Sequence, residues 1–228
     1  MASPRSSLGA LARGVVYVAL ASFCIFIALV AVYSFAPPVS TLMVGRVVIG
    51  KSYQRVYTPL KDIAPVVAAS VIASEDGGFC RNAGVDWGAL HEVLRKAGKN
   101  GPKRGASTIT MQTAKNLFLW PGRSDIRKGI EIGMALVLGQ AWSKSRTLEI
   151  YLNIAEWGDG IYGVEAAAQR YFHKKARELT ANEAALLVTS LPNPIKRDPA
   201  HPVGFQRRLA AAVAERARDE DLTSCLGR

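Results

Sequence analysis

Glu75 and Asp76 are adjacent carboxylates at the end of an apolar run, Ala64 to Ala73, and two glycines follow them. A carboxylate can serve as a general base, and partial burial moves its pKa toward the range that such work needs. Gly77 and Gly78 favour a tight turn and a close approach of the backbone to a ligand. Phe79 comes next, and then Gly84-x-Asp86, which opens a further stretch of helical pattern. Asp86 has the position of an N-cap, whose side chain accepts from the first free backbone N–H groups of a helix. Glu75 is thereby expected at a helix end, beside a bend, with apolar residues behind it. The plain alternative is a solvated acidic helix end, and this stretch taken alone favours that plain reading.

The second set of candidates is cationic. From Arg95 to Lys128 there are nine basic residues (Arg95, Lys96, Lys99, Lys103, Arg104, Lys115, Arg123, Arg127 and Lys128) against one acidic, Asp125. So large a local excess suits an anionic ligand, most simply a phosphate group. Gly98–Gly105 is basic and glycine-rich, which fits either a linker or a mobile substrate-binding segment. Ala106 to Asn116 reads as a helix although its threonines lower the propensity. Thr108, Gln112 and Lys115 then fall on one face, a polar stripe able to hydrogen-bond to sugar or phosphate oxygens. A solvated face is the alternative. Ser124 is expected to cap a long helix through Trp142. On it Arg127, Lys128 and Glu131 are spaced to face one way, and an ordinary surface ion pair is the alternative there.

These side chains need elements to hold them. The chain has 228 residues and a net charge of +11, which admits nucleic acid, anionic lipid or phosphate-bearing substrates. Three cysteines, an odd number, argue against a disulfide framework. His91, His173 and His201 are scattered, so no zinc site is expected. Val15 to Tyr33 carries no charge and is long enough for the ~30 Å hydrocarbon core of a bilayer. Tyr17 and Tyr33 suit interfacial anchors. Arg5 and Arg13 precede the span and the next charge is Arg46, so the N-terminus is expected inside and the bulk of the chain outside. A cleaved signal peptide is the alternative, but the apolar region is long for one and prolines follow Ser34-Phe35-Ala36.

The expected organisation is therefore a cytoplasmic N-terminus (1–14), a transmembrane anchor (15–36), a linker or extended arm (37–58) and one outward-facing domain (59–228). Within the arm, Val44, Val47, Val48 and Ile49 suggest a short strand. Pro59 is read as starting the helix that delivers Glu75. Further helices are expected at about 86–97, 145–153, 164–171 and 204–218. Another is opened by the Thr180-x-x-Glu183 capping box and stopped by Pro192-Asn-Pro194. Nearly every segment is helical, which points to a mostly α domain. An outward-facing domain does not meet nucleic acid.

Four motifs resemble, in order and spacing, those of the peptidoglycan glycosyltransferases. They are Glu75-Asp-x-x-Phe79 with Gly84-x-Asp86; Gly105-x-Ser-Thr-Ile-Thr-x-Gln112-x-x-Lys-Asn116; Arg127-Lys-x-x-Glu131; and Tyr151-Leu-Asn153 followed by Gly160-x-x-Gly163-x-Glu-Ala-Ala-Ala168 and Tyr171-Phe. The resemblance covers about residues 59–199 and is greatest to the family's monofunctional branch, since there is no room for a transpeptidase domain. It implies a lysozyme-like, mostly helical glycosyltransferase domain behind one transmembrane helix. It also implies a single-pass protein of the bacterial inner membrane, its catalytic domain in the periplasm, that polymerises lipid II into glycan strands.

By the same resemblance Glu75 is the general base for the acceptor 4-hydroxyl, and the attack inverts the anomeric carbon and expels undecaprenyl pyrophosphate. Glu131 is the second glutamate, orienting the donor. Lys115, Arg127 and Lys128 lie near the pyrophosphate. Ser107, Thr108, Gln112 and Asn116 belong to the substrate-binding motif, and Asp76 and Phe79 shape the cleft. Implied partners are lipid II, the growing strand, the membrane, and proteins of cell-wall synthesis and division. No cofactor is required, and a divalent metal is not indicated. The chain departs from the family in carrying Asn82 where histidine is usual and Met111 where glutamine is usual. An amide can donate a hydrogen bond but cannot carry a positive charge. Two other functions remain compatible with the residues: a cell-wall hydrolase or lytic transglycosylase, and a catalytically weak scaffold.

Overall fold

The structure, a computed structural model, describes residues 4–96, 107–122 and 124–227. It divides into two compact units, residues 1–36 and 37–228. The first is the single helix α1 (Pro4–Tyr33). Its Arg13–Tyr33 segment has a mean hydropathy of 2.8 and is long and apolar enough to cross a membrane.

The second unit opens with a helix and not with a strand. Where β-branched residues suggest a strand, the chain forms helix α2 (Thr41–Val48). Propensity is a weak prior, and local bonds override it here. Ser40 accepts from the Met43 N–H at 3.2 Å, a standard N-cap. The Thr41 hydroxyl donates to the carbonyls of Asn116 and Leu119. Met43 is wholly buried. Within residues 37–58 the strand is β1 (Gln54–Arg55), which pairs parallel with β3 (Ile161–Tyr162). β3 in turn pairs antiparallel with β2 (Glu156–Gly158), giving the order β1-β3-β2.

Pro59 does not start the helix that carries Glu75. A 3-10 turn at Leu60–Asp62 intervenes, and α3 (Pro65–Glu75) begins on Pro65, whose fixed φ suits the first helical position. α3 is the central element. Val67, Ala68, Val71 and Ile72 are fully buried, and the helix packs on α9 (Ala181–Val188) and α10 (Gly204–Arg216). Each large aliphatic side chain so buried contributes about 1.5–3 kcal/mol. Leu148, Tyr151 and Leu152 of α7 (Lys144–Ile154) and the alanines 166–168 of α8 (Val164–Phe172) join the same core. The remaining α-helices among the described residues are α4 (Trp87–Lys96), α5 (Ile109–Phe118) and α6 (Asp125–Ala141). Ser124 and Thr180 cap α6 and α9, as their spacing predicts.

The cysteine expectation also fails. Cys80 and Cys225 form a disulfide across 145 residues of sequence. An odd count means only that one thiol is left over, and that one is Cys24. The bridge joins the turn after Glu75 to the C-terminal 3-10 segment Glu220–Leu226. On the chain-entropy account, closing so long a loop destabilises the unfolded chain by about 5 kcal/mol. Gly98–Gly105, expected to be a mobile segment, lies outside the described residues.

Candidate active site

Glu75 is the last residue of α3, so its side chain leaves the core at a helix end. One carboxylate oxygen accepts from the Ser74 hydroxyl at 3.1 Å, and the other from the Gln112 amide N–H at 3.1 Å. The Gln112 carbonyl accepts from the Tyr151 O–H, also at 3.1 Å. Burial pushes the Tyr151 phenol well above its ordinary pKa, and the nearby Glu75 charge adds to this. Tyr151 therefore stays a donor at neutral pH, which leaves the Gln112 N–H aimed at Glu75. The carboxylate borders a cavity of about 140 Å³, with Gly77, Asp86 and Ser107 among its other walls.

The neighbouring Asp76 is differently employed. It is buried and accepts from the Ile109 N–H at 3.0 Å and from the Asn82 amide at 3.0 and 3.2 Å. Burial raises its pKa, while the bonds from Ile109 and Asn82 and the Lys144 charge pull the other way. Asp76 thus ties the end of α3 to the start of α5. Thr108, expected on a substrate-binding face, lines the Glu75 cavity and is also the N-cap of α5. It accepts from the Met111 N–H and donates to the Gly84 carbonyl at 2.6 Å. Phe79 is wholly buried in the core, so it supports the cleft from below. Asp86 caps α4 through the Ala89 N–H, as predicted.

The tight turn expected at Gly77 and Gly78 is present, closed by the Phe79 N–H on the Asp76 carbonyl at 2.9 Å, but the position that demands a glycine is a different one. Neither Gly77 nor Gly78 takes a positive φ. Gly84 does, at +103°, and a Cβ there would meet the Ala135 carbonyl of α6 at 2.4 Å. Gly139 of α6 reciprocates, since its Cβ would lie 2.3 Å from the Ala83 carbonyl. The loop after Asp76 therefore rests directly on the α6 backbone, a contact only glycine allows.

The cations gather around Glu131. Arg127 reaches one carboxylate oxygen at 3.2 Å and Lys128 the other at 2.6 Å. Glu131 is 2% exposed and the Arg127 side chain 8%, so this is a buried pair and not the surface pair of the alternative reading. Lys128 also donates to the Ser107 hydroxyl at 2.7 Å. Lys115 lies within the same electrostatic group. Burial lowers its pKa, Glu131 opposes that, and the charges of Arg127 and Lys128 reinforce it. Lys115, Asn116 and Arg127, with Thr41 and Trp120, line a cavity of about 230 Å³. Partly dehydrated cations at a cavity wall are relieved when an anion enters. Among the described residues no group of His, Cys, Asp and Glu is arranged to hold a metal ion.

Sequence reasoning missed two participants as individual residues. Tyr151 stands in a motif, but its bond to Gln112 requires α5 and α7 to pack. Lys144 has no motif signal here. Its one local oddity is a cation in the first turn of α7, against the helix dipole.

The fold and cleft define a helical domain in which a held carboxylate neighbours a cationic pocket. The transglycosylase family model matches residues 42–218, and the chain belongs to that family. The similarity is high to biosynthetic peptidoglycan transglycosylases from several bacteria. That of Brucella suis biovar 1 (strain 1330) is 52% identical over 202 residues, 89% of this chain and 90% of the relative. That of Rhizobium meliloti (strain 1021) is 48% identical over 217 residues, 94% and 92% of the two chains. That of Agrobacterium fabrum (strain C58 / ATCC 33970) is 49% identical over 210 residues, 91% and 93%.

Proposed function

We propose that this chain is a membrane-anchored peptidoglycan glycosyltransferase that polymerises lipid II into linear glycan strands. Family membership and the relatives' names support the coarser reading, a transglycosylase of peptidoglycan synthesis. One observation carries the finer one. Helix α5 presents Gln112 to the Glu75 carboxylate and, three residues on, Lys115 to the cationic cavity. One helix thus links a base to a site for a phosphate leaving group.

Glu75 takes the proton from the acceptor's 4-hydroxyl. The freed oxygen pair attacks the donor's anomeric carbon. The bond from that carbon to the pyrophosphate oxygen breaks, and its electrons leave with undecaprenyl pyrophosphate. Lys115, Arg127 and Lys128 stabilise that developing charge in a partly dehydrated site. Glu131 holds Arg127 and Lys128 in place.

Lipid access and topology fit the same reading. α2 leaves Val44, Val47 and Val48 exposed, and Trp120 stays 56% exposed beside the cationic cavity. Apolar side chains left in the open mark contact with lipid or protein, and a polyprenyl tail is the contact lipid II supplies. The Cys80–Cys225 bridge suits an oxidising compartment outside the cytoplasm. The test is incubation of the purified full chain with lipid II and, separately, with finished glycan strands. Polymer from lipid II and intact finished strands are expected. Cleavage of finished strands would make the protein a hydrolase or lytic enzyme, and no turnover of either would make it a scaffold.

A further inference from the structure

We propose that Lys144 is a positioning residue for glycosyl transfer, holding the Asp76–Asn82 loop and, through it, the Gln112 contact on Glu75. This rests on the reading of Glu75 as the base.

The lysine sits where elementary rules would not put one. Ser143 is the N-cap of α7 and Lys144 its first residue, so the cation faces the positive end of the helix dipole. It lies 4.5 Å over the ring of Phe79, a buried core residue. Burial lowers its pKa, and Asp76 is the charge that pulls it back up. A side chain that breaks local preferences at a cost is expected where geometry has to be held. What offsets the cost is the loop. The Lys144 ammonium donates to the Asn82 backbone carbonyl at 2.6 Å and lies 3.3 Å from the Asn82 side-chain oxygen. That same oxygen accepts from the Gly84 N–H at 3.1 Å.

From there a chain of bonds reaches the base. The Asn82 amide N–H bonds both oxygens of Asp76. Asp76 accepts from the Ile109 N–H, the first residue of α5. One turn along α5, Gln112 bonds Glu75. Lys144 therefore fixes Asn82, Asn82 orients Asp76, and Asp76 sets the start of α5 and with it the amide on Glu75. The lysine does not touch Glu75 in this arrangement, and its effect is geometric. The charged groups acting on Asp76 are Lys144, which stabilises its carboxylate, and Asp86, which opposes it.

The experiment compares Lys144→Met and Lys144→Arg with the unaltered full chain on lipid II. Misplacing a reacting group by about 1 Å costs on the order of 100-fold. For Lys144→Met we expect kcat to fall by about 10- to 100-fold with KM within about twofold, because the substrate's own contacts remain. Removing the cation makes the Asp76 carboxylate easier to protonate. The acid limb of the kcat profile should therefore move to higher pH, which a purely structural role would not produce. Lys144→Arg should restore most of kcat. If Lys144→Met does not fold, Lys144→Gln keeps a donor without charge, and the same acid-limb shift is expected. A Met or Gln variant with normal kcat and an unmoved acid limb overturns the proposal. Failure of the underlying reading looks different, since Glu75→Gln would then polymerise lipid II at the normal rate.

Discussion

Glu75→Gln is expected to lower the rate of lipid II polymerisation by about 10²- to 10⁴-fold, the range typical of general-base catalysis. The substitution keeps shape and volume. The amide can still sit beside Ser74 and Gln112, so the helix end and the loop should be undisturbed. What it removes is the ability to take a proton. KM should change little, because loss of an interaction made only in the transition state appears in kcat. The check is steady-state polymerisation alongside a melting curve. A rate within about twofold of normal, with an unchanged melting temperature, would remove Glu75 from the mechanism.

The second large effect belongs to Arg127. Its pair with Glu131 is buried, and stripping one partner from a buried pair costs about 3–5 kcal/mol because the other charge is left without compensation. Lys128 remains on Glu131 and softens the loss, so Arg127→Ala is expected at the lower end of that range. Thermal unfolding reads it directly. Measured below the lowered melting temperature, Arg127→Ala should also slow turnover more than it weakens binding. Arg127→Lys separates the two roles. It keeps the charge but loses the planar fork that grips two phosphate oxygens at once. If the fork matters, the lysine variant polymerises slowly although it is stable. If Arg127 only steadies Glu131, the lysine variant works normally and its pyrophosphate role is withdrawn.

Local signals in the sequence carry much of this. Asp86, Ser124 and Thr180 are caps by residue type and spacing, and each accepts the expected N–H. The carboxylate at the end of α3 and the cationic stretch beyond it are legible for the same reason, since helix ends and charge excess are local properties. What is not legible depends on packing between distant segments. The Cys80–Cys225 bridge needs the C-terminus to fold back on the Glu75 turn. Helix α2 depends on Thr41 reaching the end of α5, and without that bond its valines read as a strand. The structural bonds of Thr108, to the Gly84 carbonyl and from the Met111 N–H, show only once the loop and α5 are placed beside each other. Lys144 and Asn82 are separated by 62 residues and meet only when α7 packs on the loop.

The stereochemistry of transfer bears most directly on Glu75 as a base. Retention would require a second carboxylate free to attack the sugar and form a covalent intermediate. Three other carboxylates lie in this region, and each is committed. Glu131 is 2% exposed and paired with Arg127 and Lys128. Asp76 is buried on the Ile109 N–H and the Asn82 amide. Asp86 shares the small cavity with Glu75 but is engaged as the cap of α4 through the Ala89 N–H, so one displacement assisted by one base is the step this geometry favours. The measurement is the anomeric configuration of the newly formed bond, read by NMR on polymer made from lipid II by the full-length protein. Inversion at the donor carbon is expected. Retention would contradict the assignment of Glu75 as a base in a single displacement.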